Sequence, residues 1–130
     1  MMEFLQPPGW ARPKGYANGV VAQGRTVFVS GMIGWDADGQ FHSSDLAPQV
    51  RQTLLNIVAV LAEAGALPAH IVRMTWYVVD KQEYLAAQQE IGSAYRDIIG
   101  RHFPTMSVVQ VAGLMEAAAR VEIEVTAVLP

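Results

Sequence analysis

Residues 103–128 read FPTMSVVQVAGLMEAAARVEIEVTAV, and the architecture of the whole chain is built outward from them. A proline opens the stretch, and two β-type runs follow, Ser107 to Ala112 and Val121 to Val128. In the second run Val121, Ile123, Val125 and Ala127 alternate with Glu122, Glu124, Thr126 and Val128, the period-two pattern of a strand with two unlike faces. Glu122 and Glu124 fall on one face, about 7 Å apart from the rise of a strand. Such a pair is either a solvated edge or an acid/base station. In the second case burial lifts one carboxyl towards neutrality and suits it to proton transfer.

Upstream, Asp80 can cap a helix running to about Arg101, with Leu85, Gln88, Ile91, Tyr95, Ile98 and Ile99 on its inner side. Gln88 is the one polar member of that side and counts among the ligand-binding candidates; Gly92 weakens the helix slightly. Ile71 to Val79 is β-branched and aromatic, hence a strand with Val72, Met74, Trp76 and Val78 to one side. Leu46, Val50, Leu54, Ile57, Val58 and Leu61 form the apolar stripe of an earlier helix, capped by Ser44 or Asp45 and ended by Gly65. Gly31 to Gly39 reads as a loop. Val20–Ala22 and Thr26–Ser30 read as two strands joined through Gln23-Gly24-Arg25 as a hairpin. Residues 1–19, rich in proline and glycine, read as an extended arm.

The resulting order, β-β-α-β-α-β-β, predicts an α+β layer fold: one mixed sheet of four to six strands with two helices on one face. The length of 130 residues predicts one domain spanning 1–130. The other sheet face needs a cover. Charged residues are 16% of the chain, below the ~25% of an average globular protein, and hydrophobic residues are 52%, so a second subunit is the simplest cover.

The nine Lys and Arg are scattered and the net charge is −3, which argues against a nucleic-acid partner. Without cysteine there is no thiol or disulfide chemistry. The opening residues lack the basic flank and apolar run of a secretory signal, and no segment has the length of a membrane span, so a cytoplasmic location without a membrane partner is expected.

His42, His70 and His102 share no metal-ligand spacing, so no metal is expected. Ser30, at a strand end before Gly31, is a ligand hydroxyl or a turn former; no G-x-S-x-G elbow marks it as a nucleophile. Trp35 and Trp76 suit packing or ligand stacking, with packing the commoner use.

Taken in order, Gly15-Tyr16, Val27-Phe28-Val29-Ser30-Gly31, Gln52 to Leu61 with Asn56, Ala64-Gly65, Val72 to Asp80, Pro104 with Ser107 to Ala112, and Val121-Glu122-Ile123-Glu124 resemble the Rid family of reactive-intermediate deaminases, also labelled endoribonucleases. The resemblance covers nearly the whole chain after the first dozen residues. It implies a chorismate-mutase-like fold and a homotrimer with a cleft between each pair of subunits. Its active members hydrolyse enamines and imines to keto acids and ammonia without a cofactor. In that pattern Tyr16 and Ser30 line the cleft beside Gly31, and Glu122, rather than Glu124, positions the water.

The chain departs from the pattern at one critical point. Where the family carries an arginine two residues after the proline, to grip a substrate carboxylate, this chain has Met106. Met32 and Leu114-Met115 are smaller departures. A guanidinium offers a fixed charge and a bidentate fork; a thioether offers an adaptable apolar surface. Losing such a contact costs roughly 2–5 kcal/mol. The expectation is a small-molecule site for something other than the usual carboxylate-bearing imino acids, possessing hydrolytic activity through Glu122. The alternative is a non-catalytic ligand-binding or regulatory trimer. Arg101 and Arg120 are the nearby cations that could replace the missing one. The acidic pI of about 5.5 and the absence of a histidine pair argue against a ribonuclease.

Overall fold

The computed structural model describes residues 2–130. Its elements run β1 (Met2–Leu5), β2 (Gly19–Ala22), β3 (Arg25–Ile33), α1 (Leu46–Glu63), β4 (Ile71–Val78), α2 (Lys81–Ala86), α3 (Gln88–Ile98), β5 (Thr105–Gln110) and β6 (Val121–Leu129), with a single 3-10 turn, Pro68–His70, before β4. The expected α+β class holds. A four-stranded mixed sheet has the order β3-β6-β4-β5, with β4 and β5 parallel and the other pairs antiparallel. A parallel pair needs a crossover, and α2 with α3 supplies it.

The alternation read in residues 121–128 sets the layers. Val121, Ile123, Val125 and Ala127 are buried against the helices, together with Val50, Leu54, Ile57 and Leu61 of α1. α1 ends as its sequence predicts: Gly65 takes φ +74°, and the Ala66 N–H donates to the Leu61 carbonyl at 2.9 Å. Asp80 caps α2 by accepting from the Gln82 and Glu83 N–H groups. No helix of the described residues is long and apolar enough to cross a membrane.

Several expectations are corrected. The arm is not wholly irregular, because Met2–Leu5 pairs antiparallel with Gly19–Ala22 as a separate two-stranded ribbon. The strands around Gln23-Gly24 are therefore no hairpin: β2 pairs with β1, while β3 pairs with β6. β3 runs on through Gly31 to Ile33, with a register shift between Val29 and Met32. In β4 it is Ile71, not Val72, that turns inward, because the pairing with β6 shifts between Ile71 and Arg73.

The single long helix expected from Asp80 is two helices, giving three α-helices among the described residues. At Ala87 the N–H is shared between the Glu83 and Tyr84 carbonyls, and the Gln88 side-chain amide also donates to Tyr84 O at 3.2 Å. That crowding of one carbonyl marks the break. Its consequence is rotational. Leu85 and Gln88 are exposed rather than buried, and Tyr84 instead packs edge-on against Trp76, with ring centroids 6.3 Å apart.

Candidate functional site

The sheet face away from the helices carries the glutamates. On it lie Arg73, Thr75 and Tyr77 of β4, Glu122, Glu124 and Thr126 of β6, and Phe28 and Ser30 of β3. Register makes the two glutamates unequal. Glu124 stands opposite Thr75 and accepts a hydrogen bond of 2.6 Å from the Tyr77 hydroxyl. That bond, with smaller contributions from burial and the nearby carboxylates, holds the Tyr77 phenol above its ordinary pKa, so it stays protonated. The Glu122 carboxylate has no hydrogen-bond partner among the described residues. It lies across Gly31 so closely that a Cβ there would fall 2.3 Å from Oε2. A glycine at this step of β3 is thus what gives the carboxylate its seat.

Ser30 borders an open hollow of about 380 Å³ that Phe28, Arg73, Thr75 and Glu124 also line. At the other edge of the sheet the turn holding Tyr16 is fixed to the residue just before β5 by the Ala17 N–H, which donates to Pro104 O at 3.0 Å. Tyr16, Arg73, Thr105, Met106 and Ser107 surround a hollow of about 320 Å³ there. Met106 pairs with Met74 and so lies on the helix side of this edge strand. It also closes a third cavity of about 310 Å³, lined by Gln88, Trp76, Ile91, Tyr95 and Phe103 among others.

The sequence-derived candidates therefore form two groups within one chain. Tyr16, Met106 and Gln88 gather at the β5 edge; Ser30, Gly31 and Glu122 gather across β3 and β6. Met106 and Glu122 are two strands and three residues apart in register, roughly 14 Å from the strand spacing and rise, and on opposite faces.

Neither nearby arginine lines the two hollows that Met106 borders. Arg120 is bound through Nη2 and Nε to Glu83 at 3.0 and 3.1 Å, facing α2. Arg101 borders a different hollow, with Tyr16 and His102. Two cations escaped the sequence reading. Arg73 borders the hollow on the uncovered face and the one at the β5 edge, and Arg96 borders the third cavity. The alternation of β4 groups Arg73 with Thr75, Tyr77 and Val79 on the side away from Trp76, where neither face reads as strongly polar, and it does not show that cavities open beside Arg73. Trp35 belongs to the loop after β3, where it packs on Phe41 at 5.9 Å. Asn56 fixes the end of that strand by donating to the Ile33 and Trp35 carbonyls. Among the described residues no group of three or more His, Asp or Glu could hold a metal ion.

The family described as endoribonuclease L-PSP matches residues 10–129. The human protein named 2-iminobutanoate/2-iminopropanoate deaminase is 30% identical over 129 residues, covering 98% of this chain and 88% of its own. The Rid-family protein YyfB from Yersinia pestis, of unknown function, superposes with a TM-score of 0.87 at 30% identity, covering 98% of both chains. The YjgF gene product of Escherichia coli superposes with a TM-score of 0.70 at 32% identity, covering 88% of each chain.

Proposed function

The chain belongs to the endoribonuclease L-PSP family, which includes the Rid proteins and the imine deaminases, and from that premise we propose that it binds a small metabolite in clefts between copies of itself and hydrolyses an imine or enamine there. The observation that carries this reading is the Glu122 carboxylate, unpaired among the described residues and seated on Gly31 at a sheet face that none of the described elements covers. The separation of Met106 and Tyr16 from Glu122 supports the intersubunit cleft, because a second copy laid on the uncovered face can supply one group to the other.

The chemistry asks little of the protein. A water bonded to Glu122 adds its oxygen to the imine carbon, and its proton passes by way of the carboxylate to the nitrogen. The C–N bond of the resulting carbinolamine then breaks, releasing ammonia and leaving a carbonyl product. No cofactor enters this balance. Ser30 and Tyr16 supply polar contacts to the bound molecule, and Gln88 and Met106 line the neighbouring cavity. With Met106 at the family's arginine position, a three- or four-carbon imino acid loses its charge partner at the sheet edge. The same substitution favours a second reading, a trimer that binds its ligand without turning it over.

Ammonia release separates these readings. The protein is expected to release little ammonia from the enamines formed from serine or threonine, and robust turnover of them would refute the role given to Met106. On an imine that bears no carboxylate beside its reacting carbon it is expected to turn over, with Glu122→Gln abolishing activity at unchanged oligomeric mass. No turnover on any imine would leave the binding trimer as the function.

A further inference from the structure

The third cavity, between the outer edge of the sheet and α3, has an electrostatic character of its own. No carboxylate lines it. Its one formal charge is Arg96, which makes no ion pair or side-chain hydrogen bond among the described residues; the next residue, Asp97, is taken by Arg51 at 3.0 Å. The Arg96 guanidinium folds back along its helix, with Nη1 3.3 Å from the point a Cβ on Gly92 would occupy, so the glycine leaves room for it at the cavity. The wall beneath is Trp76, 2% exposed, whose indole Nε1 is the one buried side-chain nitrogen or oxygen without a partner among the described residues. Buried donors are seldom left unpaired, because the lost hydrogen bond is not recovered from water. Tyr95 and Phe103 stack at 5.7 Å and complete an aromatic surface. The Tyr95 hydroxyl is already committed to His102 O at 2.6 Å, and burial raises its pKa, so it brings no negative charge.

A cavity with an aromatic and thioether wall, unpaired donors and a lone cation selects one class of ligand. We propose that it takes an amphiphilic organic acid, with an apolar body against Trp76, Phe103 and Met106 and a carboxylate on Arg96. This deepens the proposed function and rests on it only in treating the cavity as part of the same cleft. The charge that Met106 withholds at the sheet edge is offered instead from the helix layer. The carboxylate of the ligand accordingly stands farther from the reacting centre than in a three- or four-carbon imino acid. At about 310 Å³ the cavity holds more than such a molecule, and falls at the small end of pockets that enclose drug-sized ligands.

The test uses 3-phenylpropanoate and its neutral amide, 3-phenylpropanamide, titrated into the intact protein by calorimetry at low salt. The acid is expected to bind about ten-fold more tightly than the amide, as a charge-assisted contact at a part-exposed site allows. Arg96→Gln is expected to erase that preference. Arg96→Lys is expected to keep part of it, since the ammonium restores the charge without the fork. Arg96 is exposed, so both variants should retain the parent's melting temperature. Equal affinity for acid and amide, binding of neither, or a preference that survives Arg96→Gln overturns the proposal and makes Arg96 an ordinary solvated charge. The probe is not an imine and is not turned over. Its binding can therefore succeed where ammonia release fails, and the reverse.

Discussion

Gly31 and Gly34 are three residues apart, and a methyl group added to each meets a different obstacle. At Gly31 it meets the far end of the Glu122 side chain, which can swing away. At Gly34 it comes 2.7 and 2.8 Å from Cβ and Cα of Gln49, which belong to α1 and cannot. Gly31→Ala should thus cost under about 1 kcal/mol of stability while removing most Glu122-dependent turnover. Gly34→Ala should cost about 1–3 kcal/mol, the usual toll of overpacking. Urea denaturation beside an activity assay reads both, and a Gly31→Ala protein with full activity would detach the glycine from the site. At this scale the sequence disclosed the pair of glutamates through its period of two. It could not distinguish them physically, because the Tyr77–Glu124 bond is a diagonal contact that exists only once β4 and β6 have a register. The resemblance to a family pointed to Glu122 instead.

Between elements, Gln49 is the polar residue of greatest consequence. It is 1% exposed within the apolar stripe of α1. Its amide donates to the Ser43 and Ala118 carbonyls, both at 2.9 Å, and its oxygen accepts from the Arg120 N–H at 2.7 Å. One side chain thus fixes the start of α1 to the segment that enters β6, two residues before Glu122. Gln49→Leu keeps the volume but strands three backbone groups, so a loss of about 3 kcal/mol is expected; a loss below about 1 kcal/mol in urea would mean that water replaces the amide. The stripe of α1 was legible because 3.6-residue periodicity survives a polar member. The role of Gln49 was not, since two of its three partners lie 69 and 71 residues away. The division of the second helix escaped for a related reason: the Gln88 side chain competes for a backbone carbonyl, and no periodicity records such competition.

At the scale of the molecule, the uncovered sheet face leaves Phe28 78% and Val109 44% exposed beside Tyr77 and Glu124. Apolar content in excess of one core foretold such a face, though not which residues occupy it, because the pairing of β3 with β6 rather than with β2 was not readable locally. A homotrimer that covers this face should show three times the 14.2 kDa chain mass in light scattering. Phe28→Asp places a charge on the face that such a trimer would cover and should return the mass to that of one chain with the far-ultraviolet spectrum preserved. A parent protein already at 14.2 kDa would refute the shared cleft.

The sheet order has a consequence for how the molecule comes into being. β6 lies between β3 and β4, yet it follows every other strand in the chain. As the polypeptide leaves the ribosome, β3 and its companions wait with unpaired edges until residues 121–129 emerge, a long interval of non-local pairing in which exposed edges invite aggregation. Glu122 arrives on that final strand, so its carboxylate meets Gly31 only when the sheet closes, and a chain caught before that step carries no acid at the site.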